Sequence, residues 1–506
     1  MRVSSISAFV GAGTSQLNAA IRVLCAALLF ASIILVACLL SRYWWIFGGD
    51  PEIHIIFAKN FLQGHVLEFN AGYRSGGETS PLYMLIVAGG CALLGQYVPF
   101  GMKALGYLSL AGIGYFLYIS NRTAPVWRRR LVVLLAACMP FFIFQASLGM
   151  ENMLFAAAVA AAVHTQYNTT DRRLVLSLPA TLPLLFFLRP EAIFIGIWLG
   201  CIAVVEKKLK HLLVVIGSFA LTYLLYEALN RYTGVETHNA GLMRAYLSTL
   251  GAVRLVFLGH ELFLSPRVVV GMCYAAPFLA YAGLKYRALS TYDRITLCTL
   301  VLFPAVLHLF NVLPTTHFSR YFLFEYAVLL YVFSFRFLAT SDTNVLVAIW
   351  AVTLLLAVAE IVSRGSVAYY SVFDSIRERS SEAVKAYSDT LVASLHSPVV
   401  PISIATQEVQ LRGRLDERFV VWSLDGITDY RLATHLQDGY VDHLGYLRDR
   451  RIGFVMGLEN YNRDRSKPSL LDLQPIPGHS RVCRDGLQLD PTAVNNTFRV
   501  SECAAN

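Results

Sequence analysis

Twelve apolar runs dominate this chain, and no other feature limits its fold as strongly. They lie near 21–40, 81–98, 103–120, 131–148, 151–165, 173–188, 191–205, 211–229, 266–284, 294–311, 321–337 and 344–362. Runs of this length match the hydrocarbon thickness of a bilayer when coiled as helices, and only helices or closed barrels satisfy every backbone polar group there. Composition agrees, since 56% of the 506 residues are hydrophobic and 15% are charged, against about a quarter charged in ordinary soluble proteins. The first strong run, "AALLFASIILVACLL", has no small-residue cleavage site after it, so it reads as an uncleaved first helix.

The charges set the expected topology. The loops "RTAPVWRRR" (122–130), "DRR" (171–173), "EKKLK" (206–210), "KYRALSTYDR" (285–294) and the basic turn at Arg336 fit the cytoplasmic side. That assignment explains the net charge of +9 without nucleic acid, for no basic stripe is interleaved with aromatics. Strict alternation then leaves one run too many before Arg128. The run 81–98 is short, begins with Pro and holds a Gly pair, so it is expected to be re-entrant or interfacial. This predicts about eleven spans, the N-terminus inside and the C-terminus outside.

Every acidic or otherwise unusual cluster then falls on the outer side. Asp50 follows "YWWIFGG", Glu52 and His54 come next, and Glu78 lies in "RSGGETS". The segment 51–64 has Pro at a helix start and apolar residues at 53, 56, 57 and 61, which predicts an amphipathic interfacial helix ended by Gly64, with His54 on its surface. Asp50 stands at its N-cap, either as a cap alone or as a catalytic carboxylate. Glu151, in "LGMENML", sits between two apolar runs, where a carboxylate is costly and marks a functional candidate. Arg189, before Pro190 and Glu191, can bind a phosphate bidentately or form a structural pair with Glu151 or Glu191. Arg244, His317, Arg320 and Tyr321 stand at other outer helix ends, and His238 and Asn239 lie in a polar loop.

No Walker loop, GxGxxG, HExxH, GxSxG or CxxC occurs. ATP-driven chemistry is not indicated, and no cofactor is called, although a divalent cation is compatible with the carboxylates. Of nine cysteines, Cys483 and Cys503 lie in the polar tail, where they can pair if that tail is outside the cytoplasm. From about 366 the chain turns polar. There "ISIA", "FVVWSL" and "RIGFVMG" read as strands, "HLGYLRDRR" as a helix and "SVAYYSVFDSIRERSSEAVKAYSDTLVASL" as helical. Together they predict a small extracytoplasmic α/β domain over 366–506 beside a transmembrane domain over 1–365. Asp425 and Asp429 in "LDGITD" read as turn residues.

The clusters taken in order resemble the GT-C glycosyltransferases, and more narrowly the family of the mycobacterial terminal arabinofuranosyltransferase. Its pattern "DDAYISxRYAxNLxxGHGLxxNPG…TSPLW" runs in register with "GDPEIHIIFAKNFLQGHVLEFNAG…TSPLY". Asp50 falls on the second acid of the family's pair, and Gly49 replaces the first. "LGMENMLF" resembles its "SGMETPLF", "FLRPEA" its "LTRPEG", and "RYFLF" its "RYLLP". "SLDGITDYRLATH" and "YLRDRRIGFVM" resemble its outer soluble domain. The resemblance implies a GT-C fold in a bacterial cytoplasmic membrane, with the active site and C-terminus on the periplasmic side. It implies transfer of a sugar, arabinofuranose by this likeness, from a polyprenyl-phosphate donor to a glycan, lipid or protein acceptor. Asp50 would be the general base, Glu151 a second catalytic carboxylate, and Arg189, Arg320 and Arg244 the donor-phosphate ligands. Glu52, His54, Glu78, Glu191, His238, Asn239, His317 and Tyr321 would support them. Two alternatives stay open: the same fold with another lipid-linked sugar such as mannose or aminoarabinose, and a non-catalytic lipid-binding or lipid-flipping protein.

Overall fold

The computed structural model describes residues 23, 26–41, 50–74, 78–168, 172–234, 253–264, 266–309, 318–364, 401–406, 412–413, 415, 418–424, 429–437, 440–456, 487–491 and 497–503. The chain is mainly α-helical, with several apolar helices of the kind membrane proteins carry. In chain order they are α1 (Ala26–Ser41), α2 (Asp50–Leu62), α3 (Pro81–Leu94), α4 (Val98–Ile119), α5 (Val126–Ala137), α6 (Pro140–Leu148), α7 (Glu151–Asn168), α8 (Arg172–Leu188), α9 (Ile193–Val205) and α10 (Leu209–Thr233). After them come α11 (Pro266–Leu284), α12 (Thr291–Leu297), α13 (Phe303–Leu309), α14 (Phe318–Phe337), α15 (Thr343–Arg364) and the short α16 (His443–Asp449).

Among the described residues two helical stretches are long and apolar enough to cross a membrane, Pro81–Ile119 and Leu209–Thr233. The pair α5 and α6, bent by 62° at its break, makes a third if taken as one span. The bend falls at "CMP": Pro140 has no N–H to give the preceding turn, and Cys138 and Met139 lie outside both helices. The stretch from Pro81 to Ile119 is interrupted at Gly95, whose φ of 54° ends α3. The apolar run 81–98 is therefore largely an element of its own.

The core is built where helices exchange small residues. A Cβ on Gly106 of α4 would meet the Ala146 carbonyl oxygen of α6 at 2.3 Å, so the two backbones touch there. Helix α14 is buried along nearly its whole length from Phe322 to Ser334 and packs against α7, α11 and α4. An all-round buried helix needs no amphipathic pattern, which is why "YFLFEYAVLLYVFSF" reads as unbroken apolar sequence.

Helix α2 differs from its expected form. Ile53, Ile56 and Phe57 are buried as the spacing predicts, but so are His54, Ala58 and Asn60. Only Lys59 and Leu62 are exposed among residues 51–62. The helix is enclosed rather than one-sided, so His54 is a core residue and not a surface one. Its end is fixed by Gly64 (φ 91°) and by His65 N–H donating to the Asn60 carbonyl at 2.9 Å, a left-handed cap of the kind glycine favours.

In chain order the strands begin with β1 (Glu68–Asn70), β2 (Tyr73–Arg74), β3 (Val253–Phe257) and β4 (His260–Leu264), continue with β5 (Ile402–Thr406), β6 (Phe419–Ser423), β7 (Leu436–Gln437) and β8 (Tyr440–Val441), and end with β9 (Phe454–Met456), β10 (Leu487–Pro491) and β11 (Thr497–Glu502). A five-stranded mixed sheet forms from 402 onward, in the order β10-β11-β9-β5-β6. β5 runs parallel to β6 and β9, and α16 lies between β6 and β9 in sequence. Ala405, Trp422, Leu444, Tyr446, Val455 and Leu489 belong to a second hydrophobic cluster beneath it. β5, β6, β9 and α16 correspond to the segments expected from sequence, whereas β10 and β11 were not expected. Asp429 is a buried structural residue, accepting from Tyr446 Oη at 3.1 Å and pairing with Arg450. Asp425 and the helical segment expected after 366 lie outside the described residues. Cys503 is disulfide-bonded; its expected partner Cys483 lies outside the described residues.

Among the described residues, Ile402, Phe419 and Val421 of this sheet share the main hydrophobic core with Phe57 and Phe69, and a hairpin after α2 adds directed contacts. The hairpin of β1 (Glu68–Asn70) and β2 (Tyr73–Arg74) presents Asn70, whose Nδ2 donates to the Val421 carbonyl at 2.8 Å. Its Oδ1 accepts from Val421 N–H at 2.9 Å. The amide thus serves as one more strand residue for the edge strand β6, closing groups that an edge otherwise leaves open. Tyr73 packs edge-on against Trp422, with ring centroids 5.2 Å apart.

Candidate functional site

Five ionisable side chains from separate parts of the sequence meet in one buried line. His54 comes from α2, Glu78 from the loop before α3, Glu151 from the start of α7, and Arg189 and Glu191 from the turn after α8. All five are nearly inaccessible to solvent.

Local sequence explains each placement. Glu78 lies two residues before Ser80, and its Oε1 accepts the Ser80 N–H at 2.8 Å. Glu151 opens α7, where the partial positive charge of a helix N-terminus favours a carboxylate. Gly149 makes that start geometrically accessible: its φ is 69°, and a Cβ there would come within 2.9 Å of Met102 Cβ and 3.1 Å of the Lys103 backbone nitrogen. Tyr83 Oη donates to the Gly149 carbonyl at 2.5 Å and fixes the same turn. Arg189 ends α8 in extended backbone, φ −157°, because Pro190 disfavours helix in the residue before it.

The geometry runs as a chain. His54 Nδ1 lies 3.1 Å from Glu78 Oε2. His54 Nε2 lies 3.2 Å from Glu151 Oε2, an ion-pair contact rather than an aligned hydrogen bond. Arg189 Nη1 donates to Glu151 Oε1 at 2.9 Å. Arg189 Nε and Nη2 grip Glu191 Oε2 and Oε1 at 2.9 and 2.8 Å, the bidentate fork of a guanidinium on a carboxylate. Tyr83 stands edge-on to the imidazole, centroids 5.1 Å apart.

Burial opposes a charged imidazole, but the charge of Glu78 and the two flanking carboxylates outweigh it, and the His54 pKa rises to about 10. The ring is therefore held toward the imidazolium form, donating from Nδ1 to Glu78 and facing Glu151 with Nε2. Three carboxyl groups are thus set against one imidazole and one guanidinium. Such a group of buried charges holds only while every member is paired.

The line brings together five of the expected site residues, Glu78, Glu151, Arg189, Glu191 and His54, and makes His54, expected on a helix surface, the link between two carboxylates. Of the alternatives open for Arg189, the structural pairing is the one present, to Glu151 and Glu191 at once. Glu52 is half-buried on α2, outside this line. Asp50 is the first residue of α2, one helical turn before His54, and Arg320 and Tyr321 lie in the first turn of α14; the side chains of these three are outside the described residues. Arg244, His238, Asn239 and His317 also lie outside them.

Sequence reasoning passed over Tyr83 and Glu325. Glu325 lies two turns into α14 and is fully buried; a lone acid in an apolar helix was the available signal. Tyr83 carried none, since its role depends on a turn 66 residues away.

Among the described residues no group of three or more His, Cys, Asp or Glu is arranged to hold a metal ion. Both His54 nitrogens face carboxylates, and Glu151 is shared between His54 and Arg189. This donor set does not fit a cation, and no step is derived through one. What the arrangement can do is hold the Glu151 carboxylate in place and ionised. The fold and the site together define an apolar helical protein with a buried line of charged groups beside the start of α2. Compared with known proteins, the chain matches no family model, no curated protein and no solved structure.

Proposed function

We propose that this chain is a GT-C-type membrane glycosyltransferase, moving a sugar from a polyprenyl-phosphate donor to an acceptor outside the cytoplasm. The observation that supports this reading most is the convergence of the acid and Arg motifs into one buried centre one helical turn from Asp50. A structural helix bundle gains nothing from burying three carboxylates together, given the desolvation cost of each.

In the proposed reaction Asp50 takes the proton of an acceptor hydroxyl. The hydroxyl oxygen forms a bond to the anomeric carbon as the bond from that carbon to the donor phosphate breaks. The lipid phosphate leaves with the bonding pair, and a single displacement inverts the anomeric configuration. Arg320 and Arg244 stabilise the leaving phosphate electrostatically. Arg189 is assigned a positioning role, because two carboxylates already occupy its fork. Glu151, held by His54 and Arg189, orients an acceptor hydroxyl or the base. About eleven spans, a periplasmic site, and a C-terminal α/β domain over the site complete the proposal. The disulfide at Cys503 supports an extracytoplasmic tail, since disulfides persist in oxidising compartments.

The test is transfer by the purified chain with polyprenyl-phosphate arabinofuranose, and with mannose and aminoarabinose donors, onto candidate glycan, lipid and protein acceptors. Wild type is expected to transfer one of these sugars, and Asp50→Asn to lose transfer while keeping its fold. Full activity in Asp50→Asn would overturn the base assignment. No transfer from any of the three donors would overturn the donor class.

A further inference from the structure

Three consecutive arginines open α5, and each meets a different environment. Arg128 is consumed by the fold: its Nη1 donates to the carbonyls of Leu338, Ala339 and Ser341 at 3.0, 3.1 and 2.9 Å, and its Nη2 to Thr343 Oγ1 at 3.1 Å. Arg129 lies over the Tyr118 ring, 4.6 Å from its centroid. Arg130 is exposed and has no hydrogen bond, ion pair or ring contact among the described residues.

Arg130 borders an apolar groove of about 1070 Å³ between α1, α4, α5 and α15. Ala26 and Leu40 of α1, Tyr107 and Tyr118 of α4 and Trp350 of α15 mark its extent. From Ala26 to Leu40 a helix rises roughly 21 Å, somewhat more than the ~15 Å that one leaflet contributes to a bilayer core. Trp127 and Tyr118 line the groove at the Arg130 end, the aromatic placement found at headgroup level. An apolar trough of leaflet depth with an exposed guanidinium, unpaired among the described residues, at its headgroup end is complementary to one ligand class.

We infer that this groove is a binding site for an anionic phospholipid of the membrane, with its phosphate on Arg130 and an acyl chain along α1 and α4. Basic pockets between membrane helices recognise lipid phosphates in this way, and a guanidinium can take two phosphate oxygens at once. A neutral lipid would fill the trough but leave the phosphate-directed charge of Arg130 without a net counter-charge. The site involves none of the residues in the buried line and holds whether or not the chain transfers sugar.

The experiment is native mass spectrometry of the full chain in detergent, titrated with phosphatidylglycerol or with phosphatidylcholine. Wild type is expected to retain phosphatidylglycerol about fivefold more than phosphatidylcholine, the size of effect one basic residue gives at a membrane surface. Arg130→Gln, at an exposed position, removes that preference and leaves phosphatidylcholine retention unchanged. Ala137→Phe, which fills the trough, lowers retention of both. Equal retention of the two lipids by wild type would overturn the inference. So would a preference that survives Arg130→Gln, or a dimer that shields the groove and excludes both lipids.

Discussion

Glu151 is the one carboxylate of the buried line shared between both cations, His54 and Arg189, and its removal separates them. Glu151→Gln leaves Arg189 with one carboxylate and His54 with one, inside a dry core. Breaking a buried pair from one side costs about 3–5 kcal/mol, so the variant is expected to melt well below wild type and to lose transfer. Glu191→Gln also releases Arg189, yet it leaves the contact between His54 and Glu151 intact. A smaller fall in melting temperature is expected there, and equal falls in both variants would show that His54 adds nothing. His54 also sets a pH limit. Its pKa rises from 6.5 in an unfolded chain to about 10 here. The stability it contributes is therefore fully present below pH 6.5 and is lost as pH rises through 10. Thermal melts of wild type against His54→Gln across that interval check this: wild type should decline more steeply, and parallel curves would refute it.

At the scale of elements, the Asn70 amide is the hydrogen-bonded link between the hairpin after α2 and the sheet. Asn70→Ala leaves the N–H and carbonyl of Val421 without their partner in a buried place. The cost of an unsatisfied buried group is about 1–3 kcal/mol. Faster amide hydrogen exchange in β6, with β9 and β11 little changed, is the expected outcome. Unchanged protection of β6 would mean that apolar packing, Tyr73 on Trp422 included, holds the strand without the amide. Gly149 is the second element-level test. Its φ of 69° and the 2.9 Å approach to Met102 leave no space for a side chain, so Gly149→Ala is expected to destabilise the α6–α7 turn by more than about 1 kcal/mol. Because the same turn starts α7, activity should fall with it.

At the scale of the whole molecule, His54 and His443, both buried among the described residues, have their pKa values pushed in opposite directions. His443, in α16, has its pKa lowered to about 4, chiefly by burial. It is neutral in the fold, so the stability tied to it is present above 6.5 and is lost as pH falls toward 4. The sheet should therefore loosen first in acid and the line around His54 first in alkali. Hydrogen exchange at pH 4.5 and pH 9.5 reads the two regions separately, and a single cooperative change at both ends would refute the separation. The basic residues show a similar division of labour. Arg128 and Arg336 read in sequence as topology signals, yet Arg128 caps the carbonyls after α14 and Arg336 pairs with the buried Asp293 at 2.5 Å.

By itself the sequence determined the apolar helical class, the order of the acid and Arg motifs, and the strands β5, β6 and β9 with the helix α16. These follow from patterns within one segment: run length, alternation, and a Pro or Gly at a boundary. It also offered Arg189 with Glu151 or Glu191 as a pair, since the residue types and their common side were visible. It could not tell that His54 is buried, because the spacing of α2 reports one apolar face and says nothing of what covers the other. Only the tertiary structure decided that, by bringing Glu78 and Glu151 to its two nitrogens from 24 and 97 positions away. It likewise decided the contact of Asn70 with a strand 351 residues on. A buried charge or amide is tolerated only where partners distant in the chain arrive to satisfy it, and nothing in the neighbouring residues records their arrival.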